Sequence, residues 1–396
     1  MARPLKQIER WGKAVAVRAL AKILPERVAS PPDWSARSWR ALYLRYDRIG
    51  DMILSSGLFR VLVTRHPRIT LDVLASPSNR SVLAGNPRVH QILSLDRKRW
   101  TTLPATLRAI RRNRYDIVLD PMVEKPSLIA TLLMLVSGAR YRVGVGGRDN
   151  AFAYTLPVRS AGRDVHHAMQ EAVLLEAFGI DCRRVDLRPE LFTDDAQRVA
   201  ADRVWGTGRA RSERTPVRRA AVPDAVDDGP GHGARLRLLL NISTHHPSRL
   251  WPEARFAQLI RHVRAARAES EIVVIGLPRD RAMAESIARA GGARAVHTPA
   301  LSDALALVAS ADVVVTPDTG ISHAASAFRK PAVVMMGPGR AAFEPFANTG
   351  RTLRATTHDF ASISAMDVVE ALDEILAVLP LPQALTAAAG THAPPG

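Results

Sequence analysis

The chain has 396 residues, enough for about two domains at roughly 100–200 residues each. A hydrophobic fraction of 47% excludes a wholly disordered or collagen-like chain, and the single cysteine, Cys182, excludes an intramolecular disulfide framework and a multi-cysteine zinc site. The formal net charge of +17 favours anionic partners (nucleotide phosphates, lipid phosphates, a membrane surface or nucleic acid), and arginine scattered over solvated helix faces would give the same excess.

Residues 1–24 have the pattern of a basic amphipathic helix, with Trp11, Val15, Val17, Leu20, Ile23 and Leu24 interleaved with Lys6, Arg10, Lys13, Arg18 and Lys22. Such a helix either lies in an anionic membrane interface or docks on the protein's own surface. Charges interrupt every apolar stretch before Pro25, so no signal peptide is expected. Pro31-Pro32 and the polar residues to Ser38 read as a linker, which closes an N-terminal segment over 1–37.

From Ala41 the pattern alternates strands and helices. Strands are predicted at 41–45, 71–75, 92–95, 116–120 and 141–145, with a turn at 47–51 and helices at 52–65, from Ser127, and at 164–180. The apolar run 127–139 is short of the ~18 residues that a membrane-spanning helix needs, and reads as a buried helix. This first unit covers 38–183. A connector over 184–235 follows, whose part 207–235 is rich in Arg, Pro, Gly and Asp and reads as a flexible insertion. The second unit, 236–380, repeats the alternation. Its strands are expected at 236–241, 271–276, around Val296, at 312–316 and at 332–336. Its helices are expected at 252–265, 280–290, 303–310 (capped by Ser302), 322–328 and 363–379. The Ala/Pro/Gly-rich tail 381–396 reads as disordered. The fold class is therefore α/β: two doubly wound parallel sheets facing each other across a cleft. Ligands of such sheets sit beyond the carboxyl ends of the strands.

Four motifs lie at those ends. In Arg45-Tyr46-Asp47-Arg48-Ile49-Gly50-Asp51, Gly50 allows a tight turn and Asp51 opens a helix. Asp51 is either a helix cap or a general base that takes a proton from an acceptor hydroxyl. In Thr316-Pro317-Asp318-Thr319-Gly320-Ile321-Ser322-His323, Asp318 and Thr319 can cap a helix whose N-terminus would meet a diphosphate. Gly320 would let a ligand approach the backbone, and His323 either donates to a phosphate or packs against the domain. In the segment 241–252, Ser243 and Thr244 supply hydroxyls and Arg249 a forked cation suited to phosphate. Gly337 and Gly339 in the loop after the strand 332–336 would permit close approach of a nucleotide.

Absences narrow the chemistry. There is no phosphate loop with Gly-Lys-Ser/Thr, and Gly144-Val145-Gly146-Gly147 is not a dinucleotide fingerprint. No Asp-x-Asp pair is present to hold a cation against a sugar diphosphate, so the leaving group would be neutralised by Arg249 and helix amides, without a metal. No basic patch interleaved with aromatics is present, so nucleic acid is not an expected partner.

RYDRIGD, YDIVLD, ARYRVG, HHAMQEAVLLEAFGI and VVVTPDTGISHAASAFRKPAVVMMGP, in this order over roughly 40–375, resemble the landmarks of glycosyltransferase family 9. The resemblance implies two facing Rossmann-like domains and inverting transfer of heptose from ADP-heptose to the inner core of lipopolysaccharide. It implies a nucleotide sugar and a phosphorylated lipid or glycan as partners, and a cytoplasmic protein able to sit peripherally at the inner membrane. By it Asp51 is the base, and Asp318, Thr319, Gly320 and His323 bind the donor's diphosphate and sugar. Ser243, Thr244 and Arg249 bind phosphate, where Arg249 stands in a position at which the family often has lysine. The alternatives are a protein or other glycan acceptor, another nucleotide sugar, or a non-catalytic polyanion-binding protein.

Overall fold

A computed structural model describes residue 12 and residues 15–25, 27–122, 127–147, 149–162, 164–206, 235–244, 246–339 and 341–379. Residues 207–234 of the expected insertion 207–235, the tail from 380 and residues 1–11 lie outside the described residues.

Two six-stranded sheets carry the fold, and every strand pair in them is parallel. The first contains β1 (Trp39–Leu44), β2 (Ile69–Ala75), β3 (Gln91–Ser94), β4 (Ile117–Leu119), β5 (Tyr141–Val145) and β6 (Leu156–Val158), in the order β3-β2-β1-β4-β5-β6. The second contains β7 (Arg237–Asn241), β8 (Glu271–Gly276), β9 (Arg294–His297), β10 (Val313–Pro317), β11 (Ala332–Met336) and β12 (Arg351–Arg354), in the order β12-β11-β10-β7-β8-β9. Read from the first strand of each, both sheets have the order 3-2-1-4-5-6. The chain reverses its winding direction between β1 and β4, and again between β7 and β10, which leaves a crevice at each switch point.

The helices are α1 (15–23), α2 (Ile49–Arg65), α3 (Leu103–Asn113), α4 (Leu128–Val136), α5 (His167–Ala172) and α6 (Asp195–Val204). In the second half they are α7 (Glu253–Ala266), α8 (Arg281–Gly291), α9 (Leu301–Ser310), α10 (Gly320–Ala327) and α11 (Ala365–Val378). Among the described residues none is long and apolar enough to cross a membrane. The apolar run after Ser127 is the short helix α4, with Ala130, Thr131, Leu133 and Met134 buried.

One apolar core is continuous from sheet to sheet. Ala41, Tyr43, Val73 and Leu119 of the first sheet and Leu239, Val273, Val314 and Val334 of the second belong to the same buried cluster. Met52, Phe59 and Leu62 of α2 and Ile321, Ala324 and Ala325 of α10 fill the space between them. The outer faces are covered separately, by α3 and α4 on the first sheet and by α7, α8 and α11 on the second. The two halves are thus fused through a shared helical layer, and the relation between their strand ends is fixed by packing.

Several sequence expectations are corrected. The helix expected over 164–180 is shorter: α5 passes into a 3-10 turn over Val173–Phe178, which Gly179 ends in the left-handed conformation. Ser302 does not cap α9; the helix starts at Leu301, two residues before the expected 303, and the Ala300 N–H donates to Asp303 Oδ2 at 3.0 Å. The strands β6 and β12 escape the pattern because they are short sheet edges, one containing Pro157 and the other only half-buried. The connector is also more structured than its composition suggests. Within it, α6 opens with a capping box at Asp194 and Gln197 and lies against α9. Trp205, fully buried, ends it with a 2.8 Å hydrogen bond from Nε1 to Ser310 Oγ.

The N-terminal segment docks on the protein's own surface where it is described. Val17 is buried, and Leu20 and Leu24 pack with it against the outer core of the first half. Arg18 Nε lies 3.1 Å from Asp149 Oδ2, while Val15 and Ile23 remain exposed.

Replacing Trp205 by Ala removes a fully buried indole and leaves the Ser310 hydroxyl without its donor. The expected cost is about 3–5 kcal/mol, read as a lowered midpoint in urea unfolding followed by circular dichroism.

Candidate functional site

The segment after β1 turns at once into α2, whose N-cap is Arg48 and not Asp51. Asp51 therefore sits in the first turn of the helix, where a carboxylate suits the helix dipole but is not needed as a cap. Its side chain is mostly buried, 3.7 Å from His167 Nε2. It shares a hydrogen bond with the Asp47 carboxyl. Burial pushes the Asp51 carboxyl up to about 7, with Asp47 and Glu171 adding to the rise and Arg45 and Arg48 opposing it. Asp47 moves the other way: Arg45 and the hydrogen bond from Asp51 outweigh its burial and hold it below the usual carboxylate range. Two carboxyl groups this close separate into one that ionises readily and one that keeps its proton longer.

Under this pair lies a layer that the sequence reading missed. Arg45 is only 1% exposed and Glu171, from α5, only 2%. Arg45 Nη2 lies 2.5 Å from Glu171 Oε2, and its Nη1 lies 3.2 Å from Asp47 Oδ2. Tyr43 donates its hydroxyl to Glu171, and Arg45 Nε donates to Ser55 Oγ at 3.0 Å. The available signal in the sequence was weak: a glutamate inside an apolar helix, four residues beyond the pair His166-His167.

The second half supplies the opposite side. Asn241, at the end of β7, bridges the switch point by donating from Nδ2 to Thr316 Oγ1 at 2.9 Å and to Thr319 Oγ1 at 3.2 Å. Thr319 is the N-cap of α10 and accepts from the Ile321 N–H. The Asp318 N–H is spent on Met335 O at 2.8 Å. Arg249 Nη1 lies 3.5 Å from Asp318 Oδ2, which aims the guanidinium at the same helix end. Ser243 Oγ donates to Asn241 Oδ1 at 2.7 Å, and the Thr244 carbonyl accepts from Arg279 at 2.6 Å. Gly337 follows β11 directly, and Gly339 has φ of +68°, a left-handed position that suits glycine. Among the described residues no group of three or more His, Cys, Asp or Glu could hold a metal ion.

The two sides meet where α2 crosses α10. A Cβ on Gly50 would lie 2.8 Å from His323 Cδ2, and one on Gly320 would lie 2.8 Å from Ile49 Cγ2. Both glycines are therefore needed for close helix contact. Gly50 is not at a tight turn, and the open face of Gly320 is taken by Ile49 of the first half. His323, buried, packs its ring on Gly50 beside Asp51. The structure thus sets the start of α2, which bears Asp51, against the start of α10, which bears Thr319, Gly320 and His323, with Arg249 beside Asp318 and Ser243 hydrogen-bonded to Asn241.

A second contact joins the two halves. His166 accepts the Ala168 N–H on Nδ1 at 3.1 Å, so its proton is on Nε2, which lies 2.7 Å from Glu344 O. Burial lowers His166 to about 4, which keeps this neutral form. The His167 ring stacks on Phe343 with centroids 5.3 Å apart.

Comparison with known proteins agrees with the fold. The pattern of glycosyltransferase family 9 (heptosyltransferase) matches residues 104–366. Lipopolysaccharide heptosyltransferase 2 of Escherichia coli (strain K12) is 22% identical over 324 residues, 78% of this chain and 86% of the relative. The crystal structure of a family 9 glycosyltransferase from Veillonella parvula superposes with a TM-score of 0.73 at 16% identity, covering 88% of this chain and 99% of the other. An E. coli heptosyltransferase solved with ADP-2-deoxy-2-fluoro heptose superposes with a TM-score of 0.65 at 16% identity, over 85% of this chain and 99% of the other. The match spans well over half of the sequence, and the chain belongs to glycosyltransferase family 9, the heptosyltransferase family.

Proposed function

We propose that the protein transfers heptose from ADP-heptose to the inner core of lipopolysaccharide, with inversion at the anomeric carbon and without a metal. The observation that supports this reading is the contact of the start of α2, which bears Asp51, with the start of α10 at Gly50 and Gly320, together with Arg249 held beside Asp318. Inverting displacement places the entering oxygen and the departing diphosphate on opposite faces of the sugar. A base on one half and a cationic helix end on the other meet that demand.

In this mechanism Asp51 accepts the proton of the acceptor hydroxyl as its oxygen bonds to the anomeric carbon. The bond from that carbon to the phosphate oxygen breaks, and the electron pair leaves with the diphosphate. Arg249 and the amides of Thr319 and Gly320 take up the charge that develops there. The hydroxyls of Ser243 and Thr244 lie on the loop that would flank the phosphates, and Gly337 and Gly339 would border the nucleotide. The E. coli neighbour solved with an ADP-heptose analogue supports the donor, and the E. coli lipopolysaccharide heptosyltransferase supports the acceptor. A phosphorylated lipid acceptor also suits a net charge of +17, and it would place the protein at the cytoplasmic face of the inner membrane.

Replacing Asp51 by Ala should lower turnover by roughly 10²–10⁴-fold while ADP-heptose still binds, because the base touches the acceptor and not the nucleotide. The pH profile follows from the same group. Asp51 works as a carboxylate and its protonation is raised to about 7, so kcat/KM should fall as pH drops below about 7 and level off above it.

Replacing Arg249 by Ala should weaken ADP binding by roughly 10–100-fold, the worth of a hydrogen-bonded charge contact, and Lys should restore only part of it. Calorimetric titration with ADP-heptose, ADP, UDP and GDP in the presence of EDTA checks donor and metal together. The adenine forms should bind selectively and the chelator should have no effect. Selective binding of UDP or GDP would change the donor, and loss of binding in EDTA would remove the metal-independent mechanism.

A further inference from the structure

Beyond the base itself, the region under Asp51 holds charge that catalysis by Asp51 alone does not explain. Arg45 and Glu171 are both almost wholly buried and paired at 2.5 Å. A buried ion pair is weak grounds for stability, because withdrawing two charges from water offsets most of their attraction. This pair is built into three elements at once. Arg45 follows β1, Glu171 lies on α5, and Ser55 of α2 sits between them. Ser55 Oγ lies 2.5 Å from Glu171 Oε1 and 2.9 Å from Asp51 O, and it accepts from Arg45 Nε. Its single proton can serve only one of the two acceptors, so the Asp51 backbone and the Glu171 carboxylate compete for it. Arg45 reaches on to Asp47, which hydrogen-bonds to Asp51.

We propose that Arg45 and Glu171 are positioning residues for the base: Glu171, held by Tyr43 and Ser55, fixes Arg45 against Asp47, and Asp47 in turn fixes the Asp51 carboxyl toward the cleft. The proposal rests on Asp51 being the base. The charged and titratable groups that face Asp51 are Asp47, Arg45 and Arg48 from its own loop, Glu171 and His167 from α5, and His323 from α10 across Gly50. Of these, Glu171 acts without reaching the cleft. Its negative charge raises the Asp51 carboxyl, and through Arg45 it fixes where the opposing positive charge stands.

The test compares Glu171→Gln and Tyr43→Phe with the unchanged protein and with Asp51→Asn. Turnover is measured from pH 5.5 to 8.5 with ADP-heptose and truncated lipopolysaccharide. In parallel, the carboxyl carbons of aspartate are labelled with carbon-13, and the Asp51 resonance is assigned by its loss in Asp51→Asn and titrated. Glu171→Gln should lower kcat by roughly 10–100-fold, as expected for a misplaced catalytic group, with the donor KM little changed. Its Asp51 midpoint should fall, because a neighbouring negative charge is gone. Tyr43→Phe removes one hydrogen bond and should lower kcat severalfold with ADP binding intact, which keeps the proposal testable if Glu171→Gln does not fold. Unchanged kcat and midpoint in the variants overturn the proposal. So does a loss of kcat matched by loss of ADP binding with an unmoved midpoint, since that is a structural role. Full turnover in Asp51→Asn instead overturns the base. The carbon-13 titration needs no turnover, so an inactive unchanged protein would remove the heptosyl transfer reading while the midpoint still decides the positioning role.

Discussion

The close crossing of two helices governs the site. α2 and α10 start at the switch points of different sheets, and their N-termini touch through Gly50 and Gly320. A Cβ at either glycine would press into Ile49 or the His323 ring at 2.8 Å, so one of them would have to shift. The crossing decides how far Asp51, the proposed base, stands from the start of α10. The continuous core beneath it, from the first sheet through α2 and α10 to the second, packs the two halves together. The contacts of His166 with Glu344 and of His167 with Phe343 add a second fastening across the same cleft.

The arrangement of charge follows from that geometry. On the first half, three carboxyl groups (Asp47, Asp51 and Glu171) gather around two guanidinium groups (Arg45 and Arg48). On the second half, Arg249 and the start of α10 present positive charge, with Asp318 orienting the arginine. In the proposed transfer a proton moves toward the acidic side while negative charge moves onto the diphosphate at the cationic side. Each half thus favours the form of charge it receives, and burial strengthens both effects relative to water.

How much of this the sequence discloses depends on the kind of signal. Central strands are legible because both faces are buried: 141–145, 271–276 and 332–336 are found at their observed bounds. Edge strands are not, since β12 is Arg-Thr-Leu-Arg and has no apolar run to detect. The motifs at strand ends are legible for the same local reason, as Thr319 shows by capping α10. The reading of Gly320 and Gly50 fails because their partners, Ile49 and His323, lie some 270 residues away in the chain and no periodicity records a helix crossing. Glu171 is the clearest case. It lies 120 residues after Asp51 on a different helix, and only the fold brings it under the base.

That placement bears on why one acid in the loop could act as a base and its neighbour not. Asp47 and Asp51 differ by four positions and share a hydrogen bond, yet their proton affinities move apart. Asp47 has Arg45 at 3.2 Å, itself held by Glu171, together with hydrogen bonds from Asp51 and from backbone amides, whereas burial dominates at Asp51. An arginine free to swing would stabilise whichever carboxylate was ionised and would level the two. Held by a buried partner, it favours both ionised carboxyls, but at Asp51 burial and the charges of Asp47 and Glu171 outweigh it, so Asp51 keeps the higher affinity for a proton. A carboxyl tuned in this way is basic enough near neutral pH to accept a hydroxyl proton. The expensive burial of Arg45 and Glu171 then has a role in the chemistry, where stability alone gives it none.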